Sequence, residues 1–186
     1  HRNDVWFALT EDRRVLSWVN QPFVREGDLL AREGGATPAA EIAPLRGSFL
    51  LGGQSPYCVI NQDRRLVCWG SNDSGRMGIP IQERTPIRVE LDSAVRQVAL
   101  GSSHSCALKD NGTVDCWGRH DVVGAGLTTQ SIYARPTLIS NLSQIERVHG
   151  RGHTTCADNA QNHLLCWGSA AFGQFGIGTV THYYRP

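Results

Sequence analysis

Six cysteines fall into three pairs of equal spacing: Cys58 with Cys68, Cys106 with Cys116, and Cys156 with Cys166. Three chemistries use such pairs, namely zinc ligation, buried free thiols and disulfide bonds. Zinc sites favour closely spaced ligands in two converging clusters, and none of these pairs is spaced that way. Asp110-Asn111-Gly112 lies midway between Cys106 and Cys116 and is a turn sequence that reverses the chain as a β-hairpin. A hairpin centred on Asn111 places the two cysteines opposite each other, within bonding reach. Disulfides are therefore expected at all three pairs, with reduced, packed thiols as the alternative. Bonded pairs imply an oxidising location, extracellular, periplasmic or secretory.

Other reactive residue types form no comparable pattern. His104 lies two residues before Cys106, but Val5, Pro56 and Thr154 stand at the equivalent positions, so no repeated ligand ring forms. His149 and His153 are four apart, and without a helix that spacing does not put them on one face. No nucleophile elbow and no phosphate-cradling glycine loop is present, so neither catalysis nor a cofactor is expected. Asn72, Asn111 and Asn141 each begin an acceptor sequence for N-glycosylation. Two of the three also sit where turns favour asparagine.

The elements that position the cysteines repeat. Trp18, Trp69, Trp117 and Trp167 are separated by 51, 48 and 50 residues, and three of them directly follow the second cysteine of a pair. In the first repeat Phe7 and Ser17 replace both cysteines, as loss of a bonded pair predicts. Leu9, Ile60, Leu108 and Asp158 share a register, with Asp158 the polar departure. Gly75 and Gly78 follow Trp69, and Gly173 and Gly176 follow Trp167. The third repeat keeps Gly126 in that register, with Val123 in place of the first glycine. Pro38, Pro86, Pro136 and Pro186 are each expected to start an edge strand. Helical periodicity is absent, and 20–43 reads as a long loop.

The composition is that of an ordinary globular protein, 40% hydrophobic and 19% charged. A net charge of +1 gives no general attraction to nucleic acid or acidic lipid, so neither is an expected partner. No apolar run reaches the ~20 residues of a membrane helix. The chain opens at His1, and whether a signal peptide precedes it is left open.

The segments VALGSSHSCALKDNGTVDCWG, CVINQDRRLVCWGSNDSGRMG and CADNAQNHLLCWGSAAFGQFG resemble the regulator of chromosome condensation repeat over nearly the whole chain. The resemblance implies an all-β fold, a β-propeller of four-stranded blades. About four repeats of about 50 residues are present, at approximately 1–37, 38–85, 86–135 and 136–185. Family propellers usually close with more blades, so a partial ring is expected. Its terminal faces would be completed by further sequence or by a second chain.

Trp18, Trp69, Trp117 and Trp167 are expected in the blade core rather than in a ligand cage. Trp6, outside the repeat position, is a candidate surface contact. Function is expected on loops carried by a rigid frame. The segments that vary between repeats, 21–35, 81–85, 119–122 and 128–133, are the candidate partner surface, with Arg119, His120, Asp121 and Tyr133 at its centre. The reading is a non-catalytic protein-binding or scaffolding module, secreted or periplasmic, whose partner is a protein. Its rivals are inhibition of a secreted enzyme, nucleotide exchange on a small GTPase, and carbohydrate binding.

Overall fold

The computed structural model describes residues 5–9, 14–19, 40–51, 56–81, 83–125, 131–178, 183 and 186. Short antiparallel strands dominate it. Strands β1 (Val5–Leu9) and β2 (Arg14–Val19) lead into the long β3 (Ala40–Leu51), followed by β4 (Tyr57–Asn61), β5 (Leu66–Gly70) and β6 (Glu83–Arg88). Next come β7 (Val95–Leu100), β8 (His104–Lys109), β9 (Val114–Arg119), the single-turn helix α1 (His120–Val123) and β10 (Ile132–Leu138). The last strands are β11 (Ile145–Arg151), β12 (Thr154–Asn159) and β13 (Leu164–Gly168).

Each repeat forms one blade, with β7 to β10 as the complete example, a four-stranded antiparallel sheet. Blade 4 contains β11 to β13, and an isolated bridge from Gly168 to Tyr183 stands where β9 meets β10 in blade 3. Blades 1 and 2 are joined through β3. Its first part pairs with β2 at Ala40, Glu41 and Arg46, and its second part pairs with β4 from Gly47 to Leu51. One strand thus serves as the outer strand of blade 1 and the inner strand of blade 2. In later blades a connection of several residues separates these two roles.

The expected loop over 20–43 therefore ends earlier, because β3 begins at Ala40. The prolines also shift. Pro86 and Pro136 lie inside β6 and β10 rather than at their starts. Both strands are sheet edges, and each register breaks beside its proline, between Glu83 and Ile87 and between Tyr133 and Thr137. An edge strand at a bulge tolerates a residue without an N–H, so proline fits there. The sheets are consequently phased later than the sequence repeats, with each proline strand belonging to the hairpin before it.

The hairpins pair as the turn sequence predicts. Gly112 takes φ 76°, and Asn111 Oδ1 accepts from the Thr113 N–H at 3.1 Å and from its hydroxyl at 2.7 Å. Arg64 and Asn162 hold the same left-handed position in the neighbouring hairpins. Cys58 opposes Cys68, Cys106 opposes Cys116 and Cys156 opposes Cys166. Phe7 opposes Ser17 in the same way, so the degenerate first repeat keeps the register.

The core lies between blades. One buried cluster joins Trp117 of blade 3 to Cys58, Ile60, Leu66 and Cys68 of blade 2. The next joins Trp167 of blade 4 to Cys106, Leu108, Val114 and Cys116 of blade 3. Both tryptophans enter the trailing face of the preceding blade. Such burial removes roughly 200 Å² from water, at most about 5 kcal/mol at the usual transfer coefficient.

Candidate protein-binding face and its disulfide framework

All six cysteines are disulfide-bonded, with Cα–Cα distances of 4.2, 4.1 and 4.1 Å from the first pair to the third. These short separations match directly opposed residues of an antiparallel ladder whose side chains lie closest. Each bond ties the two central strands of a blade, and the first two lie beneath the tryptophan of the following blade. Trp69, Trp117 and Trp167 are buried, as the core reading expects. The side chains of Trp6, Trp18 and His120, and the whole of 21–35, lie outside the described residues.

Two indoles repeat one contact. The Trp117 Nε1–H donates to the Arg76 carbonyl at 2.7 Å, and the Trp167 Nε1–H donates to the Val123 carbonyl at 3.0 Å. Both acceptors lie in the loop after the preceding blade's tryptophan. A glycine gives each indole its space. A Cβ at Gly78 would stand 3.0 Å from Trp117, and one at Gly124 would stand 2.4 Å from Trp167 Nε1. Gly124, not Gly126, therefore does in blade 3 what Gly78 does in blade 2. Helix α1 shortens the path from Trp117 to the contact, and Gly124 closes that helix at φ 90°. Gly126 lies outside the described residues.

Helix α1 was expected as loop. Val122 and Val123 are fully buried against the blade 3 and 4 junction, and this anchors so short a helix. Arg119, the last residue of β9, and Asp121 of α1 pair through two hydrogen bonds, one of 2.7 Å from Nε to Oδ1. The Asp121 hydrogen bond raises the Arg119 pKa against a smaller opposing effect of burial. Arg119 opposes Ile132 across the sheet, and Ile132 is an exposed apolar side chain. Tyr133 is half-buried against the blade 3 core rather than freely displayed. Its ring supports this face more than it projects from it.

Beneath this patch a polar seam joins blades 3 and 4. His104 is fully buried, its Nε2 2.5 Å from Thr155 Oγ1. Burial, with a smaller push from His153, lowers its pKa to about 4, and Asp121 acts in the opposite direction. Ser103 Oγ lies 2.9 Å from His153 Nδ1, and the Ser102 N–H donates to the Gly152 carbonyl at 2.6 Å. Among the described residues no group of three metal-ligating side chains converges.

Asn72 needs correction as a glycosylation candidate. Its amide N–H groups donate to the Ile79 and Ile81 carbonyls at 2.8 and 2.9 Å, and its Oδ1 accepts from the Met77 N–H at 2.9 Å. The side chain is the brace of the loop that receives Trp117, and a glycan on that nitrogen would break it. Asn111 and Asn141 are exposed. Asp158, the polar departure in the repeat register, pairs with Arg147 at 2.7 Å and lies 3.5 Å from His149, both on β11.

Sequence reasoning missed one surface feature. A groove of about 470 Å³ runs between the outer parts of blades 2 and 3, walled by Ile79, Pro80, Ile81, Ile87 and Pro136, with Arg135 at its rim. Its only sequence signal is Ile81 within the variable segment 81–85.

The architecture is that of a β-propeller segment. Family models for the regulator of chromosome condensation (RCC1) repeat match residues 65–108 and 95–122. The E3 ubiquitin-protein ligase HERC2 of Homo sapiens is 31% identical over 220 residues, covering all of this chain and 4% of that protein. The crystal structure of Prp20p from Saccharomyces cerevisiae superposes with a TM-score of 0.78 at 21% identity, over 98% of this chain and 48% of that one. The CRINKLY WD40 ectodomain of the Arabidopsis thaliana receptor kinase ACR4 gives 0.53 at 18% identity, over 89% of this chain and 52% of that one. This chain is built of RCC1-type repeats, and it spans about half the length of these solved propellers and a small part of HERC2.

Proposed function

We propose that this chain is a non-catalytic protein-binding propeller module working in an oxidising compartment, extracellular or periplasmic. The observation that carries this reading is the combination of three stapled hairpins with a charged pair at the junction of β9 and α1, a helix held by the next blade's tryptophan. Such a patch needs no induced ordering to meet a partner, which lowers the entropic cost of binding. Arg119 and Asp121 offer both signs of charge beside the apolar Ile132, a mixture suited to a protein surface. Likeness to an ectodomain of a plant receptor kinase is compatible with this location.

Two measurements test the two halves of the reading. Alkylation without reduction, followed by intact-mass analysis of protein from its native source, should add no label. Six labelled thiols would overturn the oxidising compartment. Affinity purification from that source should recover a stoichiometric protein with the natural chain and lose it with Arg119→Glu plus Asp121→Lys. Retention of the partner by that variant would move the interface elsewhere.

The second reading is nucleotide exchange on a small GTPase. The solved Prp20p is described by its binding to Gsp1p and histones, and its fold covers 98% of this chain. Free thiols in the native protein would favour this alternative.

A further inference from the structure

The groove between the outer parts of blades 2 and 3 has two walls of different origin. One wall, Ile79 to Ile81, is held from behind. The Asn72 amide donates to the Ile79 and Ile81 carbonyls, and Trp117 fills the space beside Gly78 at the base of this wall. Ile79 is 8% exposed, whereas Ile81, on the same wall, is 51% exposed. The opposite wall is Arg135 and Pro136 of β10, which stand out of the ladder because its register breaks between Tyr133 and Thr137. Ile87 and Arg88 of β6, with Glu90, complete the lining. At about 470 Å³ the space is of the size that holds a small ligand or a few side chains.

The charges around this apolar trough do not balance. Arg88 lies 3.6 Å from Glu90, whereas no carboxylate among the described residues pairs with Arg135, which is exposed at the rim. A matching ligand carries apolar bulk beside a negative charge. Strands β6 and β10 are both sheet edges, but Pro86 and Pro136 have no N–H to donate and both registers break beside them. Neither edge therefore offers an unbroken row of donors to an added strand, and recognition falls to side chains. We propose that this groove docks a short segment of a protein partner that sets an Asp or Glu beside apolar residues. The apolar side chains lie against Ile79, Ile81 and Pro136, and the carboxylate meets Arg135. The groove shares no residue with Arg119 and Asp121, so the inference holds whether or not that pair binds a partner.

Selection of a random dodecapeptide display library on the intact chain tests it. Enriched peptides should carry Asp or Glu next to apolar residues, and a synthetic copy should bind in titration calorimetry. Ile81→Asp and Arg135→Glu are both at exposed positions, so they should keep the circular dichroism and melting temperature of the natural chain. Each should weaken the peptide by roughly tenfold or more, because it brings like charges together. Replacing the peptide's carboxylate by the amide should weaken binding to the natural chain but not to Arg135→Glu. Arg119→Glu plus Asp121→Lys should bind the peptide as the natural chain does. Enriched peptides without an acidic residue, affinity indifferent to Ile81→Asp, or affinity lost in the Arg119 and Asp121 variant would each overturn the proposal. Failure to enrich any peptide would overturn it too, and binding of decanoate in that case would assign the groove to a free apolar carboxylate.

Discussion

Burial of His104 gives the protein one source of acid sensitivity. Its pKa is held near 4, against 6.5 for an unburied histidine, chiefly because burial disfavours the cation; His153 and Arg76 push the same way and Asp121 opposes. The folded state thus binds fewer protons than the unfolded state between these values. The contribution of His104 is therefore unchanged above pH 6.5 and turns destabilising as the pH drops below it, by about 3 kcal/mol near pH 4. Denaturant titrations from pH 7.5 to 4 should show that decline. His104→Gln should start lower, having lost its fit to Thr155, and decline less steeply, and an unchanged slope would remove His104 as the cause. Gly124 makes a second test at this scale. Gly124→Ala must bear a left-handed φ of 90° and a Cβ placed 2.4 Å from the Trp167 indole. Its cost should exceed about 2 kcal/mol, whereas Gly152→Ala, also at positive φ but with no atom within 4 Å of its Cβ, should cost only about 1 kcal/mol. Equal shifts in melting temperature would mean that the indole contact is not tight.

The hairpin is the element in which the sequence was most legible. Turn residues, cysteines and tryptophan all point to one register, and a two-residue side-chain period allows no slip without exposing the apolar face. The spacing between the hairpin and the next blade was less legible. Gly126 matches Gly78 by counting residues, yet a four-residue helix makes Gly124 the structural equivalent. No periodicity announces a helix that short, since its stability comes from the burial of Val122 and Val123 in a junction built by another repeat. The prolines were misplaced for a related reason, because the bulge that accommodates them is a property of strand pairing and not of local sequence. Likewise Asn72 reads as a glycan acceptor until the three hydrogen bonds of its loop are seen. Each disulfide should contribute at this scale. Replacing Cys106 and Cys116 together by alanine opens a loop whose closure is worth about 3 kcal/mol in the chain-entropy model. Urea unfolding should show that loss, and a change well below about 1 kcal/mol would assign stability to packing around the strands instead.

Across the whole molecule, stability is a chain of nearest-neighbour interfaces, because described contacts between blades run from each repeat to the next. The junction of blades 3 and 4 is held at three levels. Trp167 enters the outer part, His104 meets Thr155 at one end, and the innermost strands β7 and β11 are bridged by side chains. The bridge is specific in form. The Gln97 amide donates to the Val148 carbonyl at 2.9 Å, and its Oε1 accepts from the Val148 N–H at 3.0 Å, so one side chain replaces the strand partner that β11 lacks on that side. Arg96 adds hydrogen bonds to the Ile145 and Glu146 carbonyls at 2.7 and 3.1 Å. Val148 is itself buried, so losing its partner leaves a polar N–H with a desolvation cost of about 1–3 kcal/mol. Gln97→Leu, which keeps the bulk and removes both bonds, should therefore loosen blade 4 from blade 3 without opening either sheet. Native-state hydrogen exchange distinguishes these outcomes. The Val148 amide should lose protection by a factor of ten or more, about 1.4 kcal/mol, while amides within the β8 to β9 hairpin, which pair inside blade 3, keep theirs. Uniform loss of protection across both blades would instead mean that the segment unfolds as one cooperative unit and that its interfaces cannot be weakened one at a time.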